Sequence, residues 1–125
     1  MNKTERFNTG WSNIKKIDGK AGIQVIESLK EISPDLAKYT IEYPFGDIYN
    51  RKTLHLRAKE MSVVAALAAM GTAQPQLKVH IHTALNIGIT KEEIAEIMLI
   101  ISVYAGFPAA LNGTFALKEV MYERD

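Results

Sequence analysis

Residues 80–96 read HIHTALNIGITKEEIAE, and this stretch contains the end of one helix and the beginning of the next. Gly88 suits the left-handed conformation that commonly closes a helix. Thr90, followed three positions later by Glu93, forms a capping box, the pattern that starts a helix. The spacing therefore predicts one helix that ends near Gly88 and a second that runs to about Tyr104.

Similar signals for the start and end of a helix occur on both sides of this stretch. Ser33 followed by Pro34 is an N-cap with a first-turn proline, and Gly71 suits the end of an Ala-rich and Leu-rich helix. Helices are predicted over residues 2–16, 20–32, 34 to before 44, 54–71, 75–88, 91–104 and 108–122. Residues 43–50 are expected to form an aromatic loop or turn. Because no segment alternates as a strand does, the sequence predicts one all-α domain over residues 1–125, with about six to seven helices.

Composition excludes several classes of function. The net charge is +1, with 15 Lys or Arg and 14 Asp or Glu, which gives no electrostatic reason to expect nucleic acid or a charged membrane surface. No apolar run reaches the ~20 residues of a membrane span, and the first residues lack the apolar core of a signal peptide. The chain has no cysteine, which removes disulfides and thiolate chemistry. We expect a soluble, intracellular protein.

The predicted helices of residues 54–71 and 91–122 carry more apolar surface than a small monomer buries. From Met61 onward the first of them is apolar almost all round, which predicts a buried central helix, and a chain of 125 residues leaves a large fraction of its surface exposed. A homo-oligomer built on these helices is the prediction, and a compact monomeric bundle is the alternative. On the helix at residues 20–32, Ile23, Ile26 and Leu29 form the apolar face, and Val25 and Ile32 are further candidates for it.

His80 and His82 lie two positions apart, so they point to nearly opposite sides of a helix, which advances about 100° per residue. His80 shares a face with Leu77, Ala84 and Ile87, and His82 is expected at a pocket rim or toward solvent. The H-x-H spacing would chelate a metal from a strand, but the helical period argues against one. We therefore predict no metal site on this pair.

Glu60 lies at helical spacing among apolar residues, where a carboxyl group is costly unless it is paired or protonated. A buried acid and a buried base on adjacent helices are plausible partners, so Glu60 is predicted to pair with His80. Such a pair is either a general acid–base unit or a structural hydrogen bond, and both interpretations stay open. The aromatic residues at 43, 45 and 49 have two interpretations as well: they cap the core, or they line a pocket beside the pair. His55 is expected in a surface or rim role at the start of the central helix.

Four stretches together resemble the carboxymuconolactone decarboxylase family, which has the alkylhydroperoxidase D-like fold. They are RFNTG at 6–10, EYPFGDIYNR at 42–51, HIHTALNIGITKEEIAE at 80–96 and VYAGFPAALNGTFALKEV at 103–120. The resemblance implies an all-helical domain, a cytoplasmic location, and a homohexamer made as a trimer of dimers. It also implies a small-molecule substrate from aromatic catabolism and neither a cofactor nor a metal ion.

The resemblance implies a decarboxylase, or a related lyase or isomerase, acting on a small lactone or oxo-acid. His80 would transfer the proton and Glu60 would orient it. A substrate carboxylate would be held by Arg57, Lys59 or His82. The aromatic side chains of Phe45 and Tyr49 would exclude water. The alternative is a non-catalytic oligomer that binds a small ligand.

The chain departs from both branches of the family. The C-x-x-C pair of the peroxidase branch falls on Ala73 and Gln76, so thiol-based antioxidant chemistry has no nucleophile here. The decarboxylases commonly carry arginine where this chain has Ile14, Lys59 and His82, and serine where it has Glu60. These replacements predict a substrate that differs from the namesake lactone, with one carboxylate or none.

Overall fold

The computed structural model describes residues 4–124 of the chain. The first two residues of the helix predicted over 2–16 lie outside this part. Within residues 4–124 the regular structure is helical throughout and contains no strand, so the predicted all-α class is confirmed. The chain folds as two compact units, Met1–Leu56 and Arg57–Asp125. The single-domain organisation of residues 1–125 stays a prediction.

The first unit contains three α-helices and two π-helical segments within the described residues. Along the chain they are α1 (Glu5–Asn13), π1 (Ile14–Asp18), α2 (Gly19–Ile32), α3 (Pro34–Thr40) and π2 (Ile41–Ile48). Thr4 caps α1, because its hydroxyl accepts a hydrogen bond from the Phe7 N–H at 3.1 Å. The same hydroxyl donates to the buried Glu42 carboxylate at 2.7 Å, which joins the start of α1 to π2.

Two glycines let α1 and π2 approach each other closely. A Cβ atom added at Gly10 would lie 2.0 Å from the carbonyl oxygen of Ile41. One added at Gly46 would lie 2.3 Å from the carbonyl oxygen of Arg6. Both clashes are with backbone atoms, which cannot rotate away as a side chain does. The core of this unit is formed by Ile14, Ile26, Ala37, Ile41 and Phe45.

The loop predicted over residues 43–50 is wrong, because π2 covers most of it. Pro44 has no N–H, and its ring would meet the carbonyl of Thr40 in an α-helical turn. The chain therefore leaves the α-helix after Thr40 and continues with the wider hydrogen-bond pattern of a π-helix. The Tyr49 N–H donates to the Pro44 carbonyl, five residues back, at 2.7 Å. The prediction that α3 ends before Pro44 is confirmed.

The second unit contains four helices: α4 (Leu56–Met70), α5 (Gln74–Asn86), α6 (Lys91–Tyr104) and α7 (Phe107–Arg124). The predicted capping box is confirmed by geometry. Glu93 N–H donates to the Thr90 hydroxyl at 3.1 Å, and Thr90 N–H donates to the Glu93 carboxylate at 2.9 Å. Gly71 and Gly88 have φ of 73° and 95°, the left-handed values that favour glycine after α4 and α5. A continuous core is built by residues that include Val64, Leu77, Ile81, Ile94, Met98, Ala116 and Val120.

Burial differs from the sequence prediction at several apolar positions. Val25 and Ile32 are exposed, Ile32 to 89%, because they lie on the outer side of α2. On α4 the fully buried residues are Glu60, Val64 and Ala68, whereas Ala66, Ala69 and Met70 are exposed. His55 is exposed as expected but precedes α4 rather than beginning it. No helix in the described part of the chain is long and apolar enough to cross a membrane.

We predict that Gly10→Ala destabilises the protein by about 1–3 kcal/mol, because the added methyl group overpacks the crossing of α1 and π2. At an exposed position in a helix the same change would instead stabilise by about 0.5–1 kcal/mol. Urea unfolding followed by circular dichroism measures the difference. Ser12→Ala, on the exposed side of α1, is the matched control. A Gly10→Ala protein as stable as the wild type would contradict the close crossing.

Candidate active site

The two histidines are separated by α5, as the helical period predicts. His80 turns toward α4, where its Nδ1 atom lies 2.7 Å from Oε1 of Glu60. His82 turns toward α7. The predicted pairing of Glu60 with His80 is therefore confirmed, and so is the split of the H-x-H motif between two sides of the helix.

Glu60 is held in the pair by its position on α4. The side chain has 0% exposure, and Val64, one turn later on the same face, is equally buried. On α5, the buried residues Leu77, Ile81 and Ala84 surround the histidine position in sequence. His80 itself keeps 18% of its side chain exposed. The pair thus has a fully buried acid and a base that reaches the surface of the unit.

This geometry suits proton transfer. A deprotonated Glu60 accepts from the Nδ1–H of His80, which fixes the tautomer and leaves Nε2 as the nitrogen that exchanges protons. The carboxylate also stabilises the imidazolium that forms when Nε2 takes a proton. Because the carboxylate is out of water, the hydrogen bond is less screened than one at the surface. The arrangement is that of a carboxylate-oriented general acid–base.

Arg57 lies one turn before Glu60 on α4, but its guanidinium is bound elsewhere. It donates to the Glu93 carboxylate in a salt bridge and to the Gly88 carbonyl oxygen at 3.4 Å. The hydrogen bond from Arg57 and then that from the Thr90 backbone lower the pKa of Glu93. Arg57 therefore joins α4 to the turn between α5 and α6, a role that the sequence did not predict.

His82 lies in a polar cluster with α7 and is not on an open rim. Its Nδ1 lies 3.1 Å from Nη1 of Arg124, and its Nε2 lies 3.5 Å from a Glu123 oxygen. Arg124 also donates to the Asn86 side-chain oxygen at 3.0 Å. Because an arginine is always a donor, Nδ1 of His82 acts as the acceptor in this contact. Sequence reasoning missed Glu123 and Arg124, although residues 78, 82 and 86 form a polar stripe at four-residue spacing that signals a partner helix.

The remaining predicted binding residues lie on two different elements. Lys59 is partly buried on α4, next to Glu60 in sequence. Phe45 and Tyr49 belong to the first unit, where their rings stack with centroids 4.8 Å apart and planes 6° apart. Phe45 is buried in the core of that unit, which agrees with the core-packing interpretation, and Tyr43 is exposed.

Two other features of the described residues bear on the chemistry. Among residues 4–124, no three His, Asp or Glu side chains come together in a way that could hold a metal ion. An open pocket of about 450 Å³ lies in the first unit and is lined by Thr4, Glu5, Arg6, Thr9, Gly46 and Asn50. The Arg6 guanidinium in this pocket is bound to Asp47. None of the predicted site residues lines it.

The fold and the site define a class of protein: an all-α chain with a buried carboxylate–histidine pair and no cysteine. The model of the carboxymuconolactone decarboxylase family matches residues 34–119, and the chain belongs to this family. The matched region contains both Glu60 and His80.

Similarity to individual proteins extends beyond this region. The chain is 26% identical over 121 residues to the 4-carboxymuconolactone decarboxylase of Acinetobacter baylyi, covering 96% of this chain and 90% of that protein. It is 29% identical over 101 residues to an uncharacterised 15.0 kDa protein of Paracoccus denitrificans, covering 80% and 75%. Peroxisomal protein 2 of Schizosaccharomyces pombe is 34% identical over 82 residues, which cover 64% of this chain and 38% of that protein.

We predict an acid-side loss of stability that depends on Arg57. Because folding lowers the pKa of Glu93 below its ordinary value of about 4.5, the salt bridge stabilises the fold above that pH. Its contribution is lost as the pH falls through the folded-state value. Thermal unfolding at a series of pH values from 6 down to about 3 measures this loss.

The Arg57→Gln protein is expected to be less stable than the wild type near neutral pH and to lose less stability on acidification. Lys91→Gln, which removes an exposed lysine from the first turn of α6, is the matched control and should preserve the wild-type pH profile. Parallel profiles for the wild type and Arg57→Gln would show that the salt bridge makes no pH-dependent contribution.

Proposed function

We propose that this chain is a small-molecule lyase that removes carbon dioxide from a lactone or oxo-acid, with His80 as the general acid. The observation that carries this proposal is the 2.7 Å hydrogen bond between His80 Nδ1 and the fully buried Glu60 carboxylate. The family and the similarity to a 4-carboxymuconolactone decarboxylase support the same class of reaction.

The proposed reaction needs one proton donor that is held in a fixed orientation. When the carbon–carbon bond to the carboxylate breaks, carbon dioxide leaves and the electron pair passes into an enolate. The imidazolium of His80 gives its Nε2 proton to the carbon, which balances the charge, and solvent restores the proton after product release. Glu60 stabilises the imidazolium and keeps the ring in one orientation, so we assign it a positioning role.

A non-catalytic oligomer that binds a small ligand is the second candidate. It is favoured by the burial of Glu60, because a structural hydrogen bond between α4 and α5 would also satisfy a buried carboxylate. In that case neither member of the pair would touch a reacting atom. The two candidates differ in what His80→Ala does to turnover.

The proposal includes self-association, with a hexamer made as a trimer of dimers as its expected form. Large apolar side chains remain exposed on α6 and on α7. On α6 these side chains are Leu99, Ile100, Val103 and Tyr104. On α7 they are Phe107, Leu111, Phe115 and Tyr122. Large exposed apolar side chains in this number favour an interface. We further propose a cytoplasmic location and a substrate derived from aromatic catabolism, without a membrane or nucleic-acid partner.

We predict that His80→Ala lowers kcat by about 10²–10⁴-fold on any substrate that the wild type decarboxylates, because the general acid is lost. A panel of small lactones and β-oxo acids, 4-carboxymuconolactone included, is assayed by carbon dioxide release and loss of absorbance. Glu60→Gln, which keeps the shape but removes the charge, should lower kcat less and shift the pH profile.

The matched control is His55→Ala, which removes an exposed histidine outside α4 and α5. It should retain wild-type turnover. Circular dichroism establishes that each variant is folded. A folded His80→Ala protein with wild-type kcat would refute the proposed general acid. An absence of turnover across the panel, with lower melting temperatures for both His80→Ala and Glu60→Gln, would favour the ligand-binding candidate.

We predict that the protein self-associates, because the apolar side chains of α6 and α7 are otherwise left in water. Light scattering coupled to size exclusion should give a mass several times 13.9 kDa. Val103→Glu introduces a charge into the exposed apolar surface and should reduce the mass, whereas Glu96→Gln on the same helix should not. A wild-type mass of one chain would contradict the prediction.

A further inference from the structure

We propose that the site takes a substrate with a single carboxylate, the one that leaves as carbon dioxide, and discriminates against a dicarboxylate. This inference rests on the proposed function, since it concerns the substrate of the Glu60–His80 pair. It comes from the way in which Arg57, Lys78 and His82 of the second unit already contact the protein's own carboxylates.

Arg57 is the guanidinium nearest in sequence to the pair, and its charge is matched internally. The Glu93 carboxylate accepts from its Nη2 atom, and the Gly88 carbonyl accepts from Nη1. Glu93 is at the same time the second half of the Thr90 capping box. A substrate carboxylate that bound Arg57 would therefore have to displace a carboxylate that also holds the start of α6.

The cations that α5 and α7 contribute to their contact are matched in the same way. The Lys78 ammonium lies 3.2 Å from a Glu119 oxygen and 3.4 Å from a Glu123 oxygen. His82 is in contact with Arg124 and lies close to Glu123. Despite partial desolvation, which lowers it, the pKa of Lys78 is raised by these two glutamates. In the sequence of residues 57–125 there are six Lys or Arg and seven Asp or Glu, so the unit has no excess of positive charge.

With Glu60 deprotonated, the Glu60–His80 pair adds no net positive charge to this balance. The pair is neutral when both nitrogens of His80 carry protons, and it has one negative charge when only Nδ1 does. A substrate carboxylate that is lost as carbon dioxide takes its negative charge into the enolate, which the His80 proton then neutralises. A second carboxylate keeps its charge throughout. Close to a deprotonated Glu60 it would be repelled, and Arg57 is already bound to Glu93.

Binding of two inert lactones tests this inference separately from turnover. One is a saturated five-membered lactone with a single ring carboxylate, and the other is the same lactone with an additional acetate side chain. Calorimetry gives each Kd, and the imidazole NMR signals of His80 report whether the ligand reaches the pair. We expect the monocarboxylate to bind about tenfold more tightly than the dicarboxylate.

Glu93→Gln is the decisive variant, because glutamine preserves the capping box while it removes the charge that matches Arg57. It should strengthen dicarboxylate binding about tenfold and leave monocarboxylate binding unchanged. Glu96→Gln, which removes an exposed charge from the same helix, is the matched control and should change neither Kd.

Equal or tighter binding of the dicarboxylate by the wild-type protein would overturn the inference. So would a failure of both lactones to bind, or an equal effect of Glu93→Gln and Glu96→Gln. Failure of the proposed function shows itself differently, as wild-type kcat in His80→Ala or as binding without turnover of any substrate.

Discussion

The hydrogen bond between Glu60 and His80 is the interaction on which the second unit depends. A carboxyl group with no exposure cannot remain unpaired in an apolar core, because the desolvation penalty is several kcal/mol, ~2–7 for a neutral polar group and more for a charge. The bond therefore fixes how α4 and α5 face each other. It also directs the imidazole, since only one ring nitrogen points to the carboxylate. Stability and chemistry are in this way joined in one contact.

The same logic of pairing extends to other charges of this unit. Arg57 joins α4 to the capped start of α6, and Lys78 and His82 join α5 to the end of α7. The sequence predicted that Arg57 and His82 would bind a substrate carboxylate, and it predicted no role for Lys78. Membership of the family establishes the scaffold, but a binding role for a cation depends on whether an internal carboxylate already holds it.

The sequence predicted those features that are set by local chemistry. The capping box at Thr90, the N-cap at Ser33 and the glycine at position 88 each act within a few residues, so their pattern is visible in a linear chain. The Glu60–His80 pair was also predictable, because a buried acid and a buried base on neighbouring helices each need a partner. Position on a helical face was sufficient to identify both.

The features that escaped prediction depend on contacts between residues that are distant in the chain. Segment π2 needs Pro44 to exclude the α-helical turn, and it needs Gly10 and Gly46 to admit α1. The contacts of Arg57 with Glu93 and of His82 with Arg124 span 36 and 42 residues. A long flexible cation has several acidic neighbours in any folded chain, and composition does not say which one it meets. The partner of a cation therefore has to be argued from the pairs that the fold makes, whereas the partner of the buried Glu60 could be predicted from positions on helical faces.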